Sequence, residues 1–261
     1  MNEPSKNWEQ KKLMLEDSFR FSCHHGVSCF TTCCRDINIF LTPYDLLRMK
    51  NQLGISSGEC IDKYTEVVSG AKHLIPLLVI KMNETDKKCP FVGDKGCEIY
   101  DVRPWACRMY PIDMDQESDF FTMDVADRCF GLNEDRQYYL SEYLEDQGLI
   151  NLRDVEDSFN ELTANERLRD VEVDNDAIKK MVFMATYNID EFRRFVFGSS
   201  FLSKFDIPQT KVEKIKRNDV ELLKLAFDWI KFGLLGRIVL KVKDEVVEAH
   251  AKNIAAEEDG Q

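Results

Sequence analysis

Residues 21–36, FSCHHGVSCFTTCCRD, place Cys23, Cys29, Cys33 and Cys34 beside the adjacent histidines His24 and His25. A second group, Cys89, Cys97, Cys107 and Cys129, follows after a long interval, and Cys60 stands alone between the two. Loop backbone, unlike a strand, can turn several thiolates toward one point, where a soft metal ion or an iron–sulfur cluster offsets their mutual repulsion. The side chains of the adjacent pair Cys33 and Cys34 diverge in extended or helical backbone, so the two sulfurs are expected to serve different centres or different metals of one centre. A free cysteine is also a small hydrophobe. That reading suits Cys60, whose neighbours have helical spacing, but not the other eight, which cluster beside Gly, Pro and charged residues.

The spacing bears on the metal. Zinc knuckles commonly set two cysteines two to four residues apart, and no two cysteines here are separated by two residues. Iron–sulfur ligation tolerates more varied spacing and takes four cysteines per cluster, so eight candidates could hold two clusters, or one cluster and a zinc. The balance favours an iron–sulfur cluster of the [4Fe-4S] kind over zinc. His24 or His25 could replace or supplement a thiolate, since imidazole suits both metals, or could stand solvated in the loop. Arg35, Arg103 and Arg108 adjoin the cysteines and could offset their charge through hydrogen bonds to sulfur, or pair with surface carboxylates. Tyr100, Trp105 and Tyr110 are expected to wall the site from solvent.

Other chemistry is scarcely signalled. The chain lacks a phosphate-cradling GxxxxGK[ST] loop, a GxGxxG fingerprint, an HExxH helix and a GxSxG elbow, and its four histidines leave little for acid–base work. A net charge of −12 argues against nucleic acid as a partner. The N-terminal MNEPSKNWEQKKLMLEDSFRF has no apolar core of the signal-peptide type. LAFDWIKFGLLGRIVLKV is interrupted by Asp228, Lys231, Arg237 and Lys241 and reads as a buried amphipathic helix with a following segment, not a membrane span. The expected address is cytoplasmic, where thiols stay reduced and cysteines point to metal more than to disulfides.

The elements that must position these thiols divide the 261 residues in two. LTPYDLLRMKNQLG carries a Thr42 cap, Pro43 at the first helical position, Asp45 completing a capping box and Gly54 as stop. SSGECIDKYTEVV begins with another serine cap and predicts a second helix. LIPLLVIKM and DFFTMDVA read as strands, and FVGDKG as a turn joining two short strands. From Asn133 the period becomes helical: EDRQYYLSEYLEDQG, LRDVEDSFNELTANERLRD, NDAIKKMVFMATYN, DEFRRFVFG and NDVELLKLAFDWIKFGLLG. The fold class expected is α+β, mostly helical. A small mixed cysteine-rich lobe spans 1–132 (core 21–131), a helical lobe spans 133–250, and 251–261 is a polar tail that frays.

With these residues in view, CPF at Cys89, CEIY at Cys97–Tyr100, RPWACRMYP at Arg103–Pro111, and Cys129 followed by Gly131 resemble the YkgJ-type cysteine-cluster family, whose domain is described as zinc- or iron-chelating. The resemblance covers residues 21–131, and longer members are similar also in YNIDEFRRFVFGSSFLSKF and LAFDWIKFGLLG. It implies metal-ligand roles for Cys33, Cys34, Cys89, Cys97 and Cys107, extending to Cys29 and Cys129. Cys23 lies where this chain departs from the family opening, with gaps of five and three residues in place of two and two. The implied function is a metal-binding protein with a redox, sensing or metal-handling role and a redox or protein partner. Two alternatives stand beside it. One is a cluster-dependent protein-lysine N-methyltransferase resembling flagellin N-methylase, for which the sequence offers no recognisable S-adenosylmethionine loop. The other is a zinc-stapled module whose helical half binds a protein.

Overall fold

The computed structural model describes residues 11–68, 74–114, 121–123, 129–150, 153–169 and 175–249. Short antiparallel strands dominate its first part: β1 (Lys11–Leu13), β2 (Ser18–Arg20) and β3 (Phe40–Leu41) precede the first helices. Helix α1 (Pro43–Leu53) forms where the capping residues require: the Asp45 amide donates to Thr42 Oγ1, the Thr42 amide donates to the Asp45 carboxylate, and Gly54 closes the helix. Helix α2 (Ser57–Tyr64) starts at the Ser56 cap but ends earlier than its apolar spacing predicts. Thr65–Val68 is strand β4, because β-branched Thr and Val pair here with β5 (Leu77–Ile80) in the sheet order β3-β5-β4.

The predicted turn is a hairpin, β6 (Val92–Gly93) to β7 (Gly96–Cys97). Gly96 has φ +108 and faces the Phe30 ring, where an added Cβ would come within 2.9 Å of a ring carbon. A side chain is therefore excluded twice over. Helix α3 (Trp105–Met109) carries Cys107, and β8 (Ile112–Met114) and β9 (Phe121–Met123) join β1 in a three-stranded sheet. The part of DFFTMDVA outside 121–123 lies outside the described residues.

EDRQYYLSEYLEDQG does not form one helix. Its first part is strand β10 (Gln137–Tyr139), antiparallel to β2, and only Leu140–Asp146 is helix α4. The reason is burial: Tyr138 packs between Phe19 and Tyr143, and the exposed–buried–exposed alternation of Gln137, Tyr138 and Tyr139 has the two-residue period of a strand. Further on come α5 (Arg153–Thr163), α6 (Glu166–Arg169), α7 (Asp176–Thr186), α8 (Ile189–Gly198), α9 (Phe201–Lys204), α10 (Gln209–Arg217) and α11 (Asp219–Leu235). Asn175, Asn188 and Asn218 cap α7, α8 and α11 with their side chains. LRDVEDSFNELTANERLRD thus divides into α5 and α6, broken at Ala164–Asn165, while α9 and α10 were not among the predicted helices. Residues 244–249 are also helical, and the tail 251–261 lies outside the described residues.

The result is an α+β fold, mostly helical, with small antiparallel sheets. One hydrophobic cluster joins Leu46 and Leu78 to Leu162, Phe192, Leu222 and Phe227, so α1 and the β3-β5-β4 sheet share a core with the later helices. A second gathers Leu13, Phe19, Met109, Ile112, Tyr138 and Tyr143. Lys50, almost buried on α1, holds Asp190 at 3.3 Å and Asp219 at 3.0 Å and so ties α1 to the starts of α8 and α11. Among the described residues no helix is long and apolar enough to cross a membrane.

Candidate metal centre

Backbone contacts decide which thiols meet. The Cys89 amide donates to the Cys34 carbonyl at 2.9 Å and the Asp36 amide to the Lys87 carbonyl at 2.9 Å, so the end of the first cysteine loop lies against the start of the second. Cys97 is brought back toward Cys89 by the β6–β7 hairpin, where it pairs with Val92, whose amide in turn donates to the Cys89 carbonyl at 3.1 Å. At the other end, the Ser22 amide donates to the Gly131 carbonyl at 3.0 Å. A Cβ on Gly131 would stand 2.7 Å from the Ser22 carbonyl oxygen, so only glycine permits this approach. It sets Cys129 near Cys23. The Phe130 amide donates to Cys29 Sγ at 3.2 Å, which brings Cys29 to the same place.

The electrostatics follow this arrangement. Partial burial and then the charges of Cys33, Cys29 and Cys129 push the Cys23 thiol up to about 11, with Arg103 opposing. Burial raises Cys129, where a hydrogen bond from the Tyr110 hydroxyl works the other way and Cys29 adds to the rise. Burial likewise raises Cys107, reinforced by Cys89, Asp45 and Cys97, and it raises Cys89 and Cys97. The side chains of Cys33 and Cys34 act on each other: Cys34 lowers Cys33 to about 7, and Cys33, ahead of burial and the charges of Cys107 and Cys89, raises Cys34. Their other neighbours do diverge: Cys33 acts on Cys23, Cys34 feels Cys89 and Cys107.

Helix α3 is held in place by Asp45. One oxygen of its carboxylate completes the α1 capping box; the other accepts from the Trp105 amide at 2.9 Å, at the start of the helix that carries Cys107. Arg108, 3% exposed, donates to the carbonyls of Arg103 (3.0 Å), Gln147 (3.2 Å) and Gly148 (3.2 Å) and stands 4.0 Å from Asp45. Arg108 thus braces α3 against α1 and the end of α4 and gives no hydrogen bond to sulfur. Arg35 pairs with Asp86 at 3.6 Å on the surface.

Arg103 fits the sequence expectation differently. It donates to Gln147 Oε1 at 2.6 Å, lies 3.6 Å over the Tyr100 ring and keeps a buried Nε with no hydrogen-bond partner. Its charge lowers the pKa of Cys23, Cys97 and Cys107 alike, so it stands within reach of thiols from both loops. Tyr100, 55% exposed, covers Arg103 instead of walling the thiols. Trp105 packs on the second core cluster. His24 accepts from the Gly26 amide through Nδ1 and is 3.0 Å from Glu134 through Nε2, so both ring nitrogens are engaged; the His25 ring lies tilted against Phe30, with centroids 4.4 Å apart. Cys60, fully buried, belongs to the hydrophobic core, as its spacing predicts.

The donor set fits a soft metal: eight free thiols from two segments of the chain, with a buried guanidinium N–H on Arg103. Among the described residues no three His, Cys, Asp or Glu side chains stand close enough to hold a single ion as they are placed. Ligation would have to draw the thiols inward, since sulfur binds zinc at about 2.3 Å; Cys23, Cys29, Cys89 and Cys129 stand outside helices and strands. Asp45 and Gly131 were not singled out for the site by spacing; only the capping box at Asp45 and the Cys-x-Gly at Cys129 marked them.

Residues 22–137 match the model of a family described as "CxxCxxCC: Putative zinc- or iron-chelating domain". The match spans both cysteine loops and supports a metal-binding role. No curated protein and no solved structure matches the chain.

Proposed function

We propose that the chain is a metal-binding protein that holds iron–sulfur clusters, with zinc as the competing occupant, through Cys23, Cys29, Cys33, Cys34, Cys89, Cys97, Cys107 and Cys129, and serves a redox, sensing or metal-handling role in the reducing cytoplasm. One observation supports this reading: backbone bonds from Cys89 to Cys34 and from Ser22 to Gly131 bring two cysteine segments distant in sequence against each other, while Cys60 is left in the core. Iron is favoured because the spacings lack a two-residue zinc knuckle and iron–sulfur ligation tolerates more varied spacing.

A bound cluster would supply one-electron transfer. The protein's own residues set the conditions. Arg103 offers positive charge and a free N–H toward sulfur, and the Tyr110 hydroxyl hydrogen-bonds Cys129. Asp45 and Arg108 fix the helix that presents Cys107. Because ligands bind as thiolates, loading releases protons from the raised thiols, and metal affinity is expected to increase with pH.

Purification without oxygen, followed by iron and zinc analysis and visible absorption, tests the proposal. Stoichiometric iron with a brown chromophore is the expected result; stoichiometric zinc in colourless protein would keep the metal role and refute the cluster; neither metal would refute both.

A further inference from the structure

We infer that the thiols form two separate four-cysteine centres that exchange members between the two sequence groups: an outer centre of Cys23, Cys29, Cys33 and Cys129, and an inner centre of Cys34, Cys89, Cys97 and Cys107. This rests on the metal-binding reading above and adds which sulfurs belong together. Sequence order pairs Cys34 with its own loop and Cys129 with the later one. The fold reverses both assignments.

Three kinds of geometry agree. Cys34, Cys89, Cys97 and Cys107 all pack on the main hydrophobic cluster, and Cys23, Cys29, Cys33 and Cys129 pack on neither cluster. The backbone bond from Cys89 to Cys34 and the Cys97 hairpin assemble the inner set. The Phe130 bond to Cys29 sulfur and the close approach of Gly131 to Ser22 assemble the outer set, and the Thr32 amide bond to the Cys29 carbonyl at 2.9 Å turns the chain from Cys29 into Cys33. The charge interactions divide the same way, apart from the Cys33–Cys34 contact itself. That peptide is where the two proposed centres meet. Four thiolates complete a [4Fe-4S] cluster or a structural zinc site, so each set is sufficient alone. The centres differ in access: Cys23 and Cys33 are exposed, whereas Cys89 is buried.

The test is metal stoichiometry of anaerobically isolated full-length protein and its Cys→Ser variants, with circular dichroism to verify folding. Cys129→Ser and Cys34→Ser should each lose about half of the metal, one centre of two. Cys29→Ser with Cys129→Ser should lose no more than either alone, and Cys129→Ser with Cys107→Ser should lose all of it. If Cys34→Ser adds nothing to Cys29→Ser, the grouping follows sequence order and the partition is wrong; if every single variant is empty, there is one joint centre and it is also wrong. Chelator release needs no inner variant. Loaded wild type should release metal in a fast and a slow phase, and Cys129→Ser should lack the fast one; a single phase for all the metal, or loss of the slow phase, would overturn the inference. Metal-free wild type would instead refute the metal-binding proposal itself, whereas loaded protein that fails the variant pattern refutes only the partition.

Discussion

The inner and outer thiols are made from the same residue type in neighbouring loops, yet the fold treats them differently. The inner four lean on the main core and on α3, which is itself anchored by the buried Asp45 and Arg108. The outer four are gathered at the surface by single backbone contacts: Phe130 to Cys29, and Ser22 to Gly131. A ligand position supported by packing is held whether or not metal is present, whereas one supported by a loop contact depends on what it binds. On the two-centre proposal the inner set is therefore the more structural and the outer set the more exchangeable.

The comparison breaks most severely at its anchor. Asp45→Ala removes the acceptor for the Thr42 and Trp105 amides and leaves Arg108 buried without its carboxylate. Loss of one partner of a buried pair costs about 3–5 kcal/mol, and denaturant unfolding should register this together with loss of inner-set metal. A stability close to wild type would mean that α3 is held otherwise. Next in size, Cys89→Ser puts a hydroxyl where a buried sulfur packed, a change worth about 1–3 kcal/mol, while Cys29→Ser at the outer set should cost well under half of that. Equal losses would erase the distinction between the two regions.

A smaller effect sharpens it through pH. Burial, followed by the charge of Asp45, pushes the Glu156 carboxyl from its ordinary 4.5 up to about 8, against the Thr42 hydrogen bond and Arg108. The folded state therefore holds a proton that the unfolded state has released, so stability falls as pH rises from about 5 to 8. Glu156→Gln keeps the neutral form and should flatten that fall in unfolding measured across the range; an unchanged slope would remove Glu156 from the buried network beneath α1. Smallest of all, Cys60→Ala should cost about 1 kcal/mol for the lost sulfur contacts in the core and leave metal content unaltered. Metal loss at Cys60 would contradict its separation from the other thiols.

How far the sequence revealed this depends on whether a feature is local. The capping box at Thr42–Asp45, the FVGDKG hairpin and the asparagine-capped helices were legible because each is fixed by neighbours a few residues away. Tyr138 was misread as helical because its partners, Phe19 and Tyr143, include a strand more than a hundred residues earlier. The candidate site shows the same limit. The thiols themselves and the core role of Cys60 could be read from spacing, but the company each sulfur keeps could not. That depends on the Cys34–Cys89 and Cys29–Phe130 contacts, which are tertiary. The arginines illustrate it residue by residue: equally close to cysteines in sequence, Arg35 binds Asp86, Arg108 braces carbonyls, and Arg103 alone of the three is placed toward thiols of both loops.

X-ray absorption at the iron and zinc edges of protein isolated without oxygen would address the central claim directly. The account predicts bound metal surrounded by sulfur, with iron showing the short iron–iron distances of a cluster; a shell of nitrogen and oxygen, or no metal at either edge, would contradict it.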